Sequence, residues 1–153
     1  ATYGPAKKWF PERFAALADR LKEEFPAQII LFGSDADKET TKAVQQAARH
    51  PFIDLAGKTN LRMVVSLIAL CRLFVSNDSG LMHVAGALNI PTIAVFGSTN
   101  PITTAPLGEK SVIIYKGVEC SPCLKETCPT DFRCMEMIET EEVVSTAREL
   151  LWR

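Results

Sequence analysis

Residues 73–97 constrain the fold more than any other part of the sequence. They begin with a short apolar run, continue with a polar turn at 76–80, and then have a helix-compatible segment at 81–88. Pro91 would end that helix, and residues 92–96 form a second apolar run. This order predicts strand, turn, helix and strand, which is how two parallel strands are connected.

The same alternation recurs along the whole chain. Further apolar runs, at residues 28–32, 52–55 and 112–115, predict strands, and segments at 11–25, 38–49, 61–71 and from Thr140 onward predict helices. Connections that carry helices join parallel strands. The sequence therefore predicts an α/β fold, a Rossmann-like doubly wound parallel sheet of about five or six strands. Its 153 residues suit a single domain, 1–153.

A polar turn after a predicted strand is the candidate binding site. Asp78, Ser79 and Gly80 lie where a helix begins, and free backbone N–H groups and the helix dipole attract an anion there. His83 follows one turn later and would lean back toward the same anion. In a parallel sheet, the turns that hold Asp37, Thr59, residues 78–83 and residues 97–99 share one edge. The alternative is an ordinary turn with a capping Asp and a surface His.

Charge and hydropathy exclude several classes of protein. The net charge is −1 and the chain has no Lys/Arg-rich block, which gives no basic surface for nucleic acid. No apolar run reaches the roughly 18–20 residues that would cross a bilayer, so no transmembrane segment is predicted. With no secretory signal we expect a cytoplasmic protein, and the first residues resemble the interior of a longer chain, so we expect a fragment.

Four of the five cysteines cluster in a loop at residues 117–135: Cys120, Cys123, Cys128 and Cys134. Four thiolates at short spacing could hold a structural zinc ion. The alternative is a set of reduced cysteines that pack as small apolar residues. A non-enzymatic metal or redox module, in which these cysteines are the functional groups, is a further hypothesis.

Four segments, at residues 2–9, 33–37, 78–83 and 96–101, resemble family 9 glycosyltransferases, and the likeness covers essentially the whole chain. The resemblance implies the carboxyl-terminal, donor-binding domain of a GT-B enzyme. It also implies inverting transfer of L-glycero-D-manno-heptose from ADP-heptose to the lipopolysaccharide inner core, at the inner face of the inner membrane. The general base would lie in an amino-terminal half, so this chain holds no catalytic residue. No cofactor is required.

The resemblance also assigns roles in substrate binding. Thr2 and Lys7 would lie near the diphosphate, with Ser79 and Gly80 offering N–H groups to it. His83 would lie at the phosphates, Asp78 at the heptose hydroxyls, Asp37 at the ribose and Thr59 at the adenine. Asp78 is assigned to the sugar because a carboxylate repels phosphate.

Three alternatives stay open at this point. Lys8 could take the role of Lys7. Asp37 could only cap the following helix, with Asp35 binding the ribose instead. A nucleotide-sugar epimerase-like domain would share the fold but would need more acidic and basic residues in the cleft.

Overall fold

The computed structural model describes residues 4–152. Within them, five strands are β1 (Ile30–Leu31), β2 (Ile53–Asp54), β3 (Phe74–Asn77), β4 (Thr92–Phe96) and β5 (Ser111–Tyr115). The helices are α1 (Pro11–Glu24), α2 (Lys38–Ala47), α3 (Leu61–Ile68), α4 (Gly80–Ala87), α5 (Pro101–Thr104), α6 (Arg133–Glu136) and α7 (Thr140–Leu151). Short 3₁₀ turns span Pro5–Lys7 and Asp35–Asp37.

Every strand pair is parallel, which confirms the predicted α/β class. β1 pairs with β2, and β3, β4 and β5 pair in that order. The expectation of one continuous sheet is corrected, because the described strands form a pair and a triplet. A cavity of about 560 Å³ lies between β1 and β3, and residues 29–32 and 73–77 line it. The two groups are therefore held together by helices and side chains rather than by a shared backbone ladder.

Strand β4 is the centre of the molecule, and all five of its residues are buried. Ile93 and Val95 pack on one face, in the cluster that includes residues of α1 and α7. Ala94 and Phe96 pack on the other face against Met82 of α4. An apolar run without polar alternation is typical of a strand covered on both faces, so the doubly wound arrangement is confirmed.

Helix ends follow local chemistry. Pro11 takes the first position of α1, where its missing N–H costs nothing. Asn60 caps α3 by accepting a hydrogen bond from the N–H of Met63. That helix ends earlier than predicted because the N–H groups of Leu70 and Cys71 bond three residues back, as in a tightened last turn.

No helix within residues 4–152 has the length and apolar character needed to cross a membrane.

Candidate functional site

The segment before α1 lies across the carboxyl ends of β1 and β3. The Lys7 Nζ atom is 3.2 Å from Asp78 Oδ2, in the turn that follows β3. The Lys8 Nζ atom is 3.8 Å from Asp37 Oδ1, in the turn that follows β1. Trp9 then donates its backbone N–H to Asn77 Oδ1 at 2.8 Å. Two adjacent lysines therefore connect the two turns that sequence analysis placed at one edge.

The start of α4 is open toward solvent. A Cβ added to Gly80 would meet no atom within 4 Å. Ser79 occupies the N-cap position but does not cap with its side chain, and its hydroxyl instead shares a hydrogen bond of 2.8 Å with Ser76. The N–H groups of Gly80 and Leu81, the first of α4, have no partner among the described backbone hydrogen bonds, and the Lys7 ammonium pairs with Asp78 in the turn directly before this helix. This combination attracts an anion such as phosphate.

Asp78 is largely buried at this position, with 8% of its surface exposed. Its backbone N–H donates to the carbonyl of Val95 at 3.2 Å, which ties the turn to β4. The Lys7 ammonium compensates its charge. Asp78 precedes the N-cap residue, so the alternative of a merely capping Asp is wrong for this position.

The Asp37 carboxylate closes a capping box on the 3₁₀ turn Asp35–Asp37, makes no capping bond to the following helix α2, and also faces a lysine. Its Oδ2 accepts from the backbone N–H of Ser34 at 2.9 Å and from the Ser34 hydroxyl at 2.7 Å, forming a capping box. Burial by itself raises the pKa of Asp37, but the two Ser34 bonds and the Lys8 charge outweigh it and leave that pKa below its ordinary value. The side chain of Asp35, by contrast, is 81% exposed and pairs with Lys38. The structure thus places Asp37, not Asp35, beside the lysine segment.

Thr59 and His83 are two further predicted site residues, in elements that follow the carboxyl ends of β2 and β3. Neither makes a described hydrogen bond to Lys7 or Asp78. Thr59 follows β2, in a turn joined to the β1 turn by a 3.0 Å bond from Gly57 N–H to the Gly33 carbonyl. Its hydroxyl oxygen is buried and has no hydrogen-bond partner within residues 4–152. His83 is exposed on α4, one turn after Gly80. Thr2 lies outside the described residues.

Sequence reasoning missed three polar groups at this edge. Asn77 fixes Trp9 and so the lysine segment, and its place between Ser76 and Asp78 in the polar turn was the available signal. Ser98 and Thr99 follow β4 with 1% and 6% exposure, and their hydroxyls lack a partner among the described atoms. They belong to the turn that was predicted to reach this edge.

The cavity between β1 and β3 borders the turns that hold Asp37 and Ser79. Its lining includes Lys8, Asp37 and Ser79, whereas apolar side chains such as Phe32 and Phe74 surround the rest. A ligand with a flat apolar part and a charged part could therefore place the two in adjoining environments.

The cysteine loop holds only free thiols: Cys120 is exposed and Cys134 is buried. The Cys128 sulfur shares a hydrogen bond with Thr130 and accepts a second one from the backbone N–H of Phe132. Both bonds lower the pKa of Cys128. Burial, together with the charges of the other three thiols of the loop, raises the pKa of Cys134. No three His, Cys, Asp or Glu side chains within residues 4–152 are arranged to coordinate a metal ion.

Comparison with known proteins gives a consistent result. A family model described as Glycosyltransferase family 9 (heptosyltransferase) matches residues 1–132. A lipooligosaccharide heptosyltransferase 2 from Haemophilus influenzae is 46% identical over 118 residues, which are 74% of this chain and 34% of the relative. A protein of the same name from Campylobacter jejuni is 32% identical, covering 99% of this chain and 49% of the relative.

The fold has a solved counterpart as well. The structure of ADP-heptose lps heptosyltransferase II from E. coli superposes with a TM-score of 0.85 at 36% identity, covering 97% of this chain and 43% of that one. The chain therefore spans between about a third and a half of the length of the proteins it matches.

Proposed function

The chain belongs to glycosyltransferase family 9, and we propose on that premise that it binds the nucleotide sugar of a heptosyltransferase II-type enzyme. The donor is ADP-heptose, and the whole protein transfers L-glycero-D-manno-heptose with inversion to the lipopolysaccharide inner core. The relatives described above are named as heptosyltransferases, which supports this over an epimerase-like domain or a non-enzymatic module. The acceptor and the general base belong to the remainder of the enzyme.

The observation that carries the proposal is the Lys7 ammonium beside the open N-terminus of α4. A diphosphate placed there meets one full positive charge and the free N–H groups of Ser79 and Gly80. The ADP leaving group gains negative charge as the bond to the sugar breaks, so these donors stabilise the transition state more than the ground state. His83 lies one turn further along α4 and adds to the phosphate contacts.

The acidic and hydroxyl side chains of the site bind the other parts of the donor. Asp78 accepts hydrogen bonds from the heptose hydroxyls, with Lys7 keeping its charge compensated. Asp37 accepts from the ribose through Oδ1, the oxygen that its capping box leaves free. Thr59, whose hydroxyl lacks a partner in the described structure, donates to the adenine, and Thr2 contacts the diphosphate.

Location follows from the substrates. A nucleotide sugar is made in the cytoplasm and a lipid acceptor lies in the membrane. We therefore place the whole protein in the cytoplasm at the inner face of the inner membrane.

Calorimetric titration with ADP, ADP-heptose and UDP tests the donor. We expect ADP and ADP-heptose to bind and UDP to bind far more weakly, because the proposed donor carries adenine and Thr59 is assigned to that base. His83→Ala should weaken ADP about threefold to tenfold, as expected for an exposed partner of a phosphate at a helix start. Equal affinities for ADP and UDP would contradict the assignment.

We propose separately that the cysteine loop closes around a structural Zn²⁺, with no part in catalysis. Support comes from the free state of all four thiols and from Leu124, which has a positive φ of 57° directly after Cys123 and so turns the chain tightly beside two cysteines. The thiols are not in coordinating positions in the described structure, so binding requires the loop to tighten around the ion.

Metal analysis of the purified protein tests this proposal. We expect about one zinc ion per chain, lost in Cys128→Ser. Cys71→Ser is the matched control and should keep the ion, because Cys71 lies outside the loop near α3. A zinc-free wild-type protein that takes up none on titration would contradict the proposal.

A further inference from the structure

We propose that the cysteine loop, residues 117–135, positions Lys7 for donor binding by fastening the chain on its amino-terminal side. The inference rests on the donor-binding function proposed above. It does not require a metal in the loop, because the contacts that carry it are made by residues other than the four cysteines.

The first contact joins the loop to the residues before Lys7. The N–H of Ala6 donates to the carbonyl of Glu126 at 2.9 Å, and Ala6 is 2% exposed. Gly4 approaches the same residue so closely that an added Cβ would lie 2.6 Å from the Glu126 carbonyl oxygen. Gly4 also has a φ of +80°, which glycine adopts without strain. Two independent features thus require glycine at this junction.

The second contact joins the loop to the turn after β4. The N–H of Leu124 donates to the carbonyl of Ser98 at 2.8 Å, and the Ser121 hydroxyl donates to the carbonyl of Gly97. Gly97 in turn packs against Met135, where an added Cβ would lie 2.7 Å from the Met135 Cε atom. The loop is therefore anchored to the turn after β4, and β4 in turn accepts the backbone N–H of Asp78 at Val95.

Lys7 is held from both sides as a result. On its carboxyl side, Trp9 is buried and hydrogen-bonded to Asn77 and to the carbonyl of Ile138. On its amino side, the only described backbone bond to another part of the chain is the one from Ala6 to Glu126. A lysine fixed at both ends loses less conformational entropy on binding a diphosphate. Releasing the loop junction should therefore weaken nucleotide binding without touching any ligand contact.

Gly4→Ala tests the junction. We expect its ADP dissociation constant, measured by calorimetry, to rise roughly threefold to tenfold. Gly117→Ala is the matched control within the cysteine loop, since its added Cβ would meet only Tyr115 at 3.5 Å, an ordinary contact. That variant should bind ADP as the wild type does. Unchanged affinity in Gly4→Ala would overturn the inference.

A double-mutant cycle shows whether the effect passes through Lys7. In a Lys7→Met background, Gly4→Ala should cause no further loss of ADP affinity, because the positioned group is gone. The same loss in both backgrounds would indicate a general structural effect and would also overturn the inference. If Gly4→Ala does not fold, Ser121→Ala replaces it, and we expect its ADP affinity to fall about twofold to threefold. An unchanged ADP affinity in that variant would also overturn the inference. A wild-type protein that binds no ADP would instead refute the proposed function.

Discussion

Replacing Lys7 with methionine is expected to weaken ADP binding about tenfold to a hundredfold, the effect of losing one charge-assisted hydrogen bond. Methionine keeps most of the length of the side chain and removes the ammonium that pairs with Asp78 at 3.2 Å. Without that cation, Asp78 would present an uncompensated, largely buried carboxylate beside the phosphates. Calorimetric titration of ADP at two salt concentrations measures the loss, and the mutant should show the weaker salt dependence.

Lys8→Met is the control that decides between the two lysines. The Lys8 ammonium contacts Asp37, in the turn after β1, and Thr40 of α2 rather than the start of α4. We expect its replacement to change ADP affinity by less than about threefold, in line with the small value of a partly exposed ion pair. If Lys8→Met lost the larger part of the affinity and Lys7→Met little, the assignment of the diphosphate to Lys7 would be wrong.

Local sequence signals predicted the parts of the fold that local forces determine. Residues 92–96 form a strand because an unbroken apolar run suits burial on both faces. Helix α4 begins where the polar turn of Asp78–Gly80 was expected to start it, since such residues favour a helix start over its interior. The class of the fold and the position of the candidate turn were therefore predictable.

Interactions between distant residues could not be predicted in the same way. Lys7 and Asp78 are 71 residues apart, and the choice between Lys7 and Lys8 depends on how the amino-terminal segment crosses the sheet. The separation of β1 from β3 likewise depends on side-chain packing around the cavity, not on strand propensity. The contact of Ala6 with Glu126 is a backbone hydrogen bond, so it does not constrain the residue type at either position. Gly4 is the one nearby residue whose type the junction requires.

Trp9 connects the candidate site to the core, and its replacement should have the largest effect on stability. It is 1% exposed, packs edge-on against Phe14 with ring centroids 5.0 Å apart, and donates Nε1–H to the Ile138 carbonyl at 3.0 Å. Trp9→Ala is expected to lower the free energy of unfolding by about 3–5 kcal/mol, from lost burial and the cavity left behind. Urea unfolding followed by far-UV circular dichroism measures the change without relying on tryptophan fluorescence.

Two further variants separate the causes. Trp9→Phe keeps an aromatic ring and loses the indole N–H, but the Ile138 carbonyl still accepts from Arg13, so we expect a smaller loss of about 1–2 kcal/mol. Trp152→Ala is the control for removing a tryptophan, since Trp152 is 78% exposed and touches Phe25 at the surface, and it should cost less than about 1 kcal/mol. If Trp9→Ala were no more costly than Trp152→Ala at unchanged urea dependence, Trp9 would not anchor the lysine segment. Lys7 would then need another support at the start of α4, and the coupling of the site to the core through residues 4–10 would have to be abandoned.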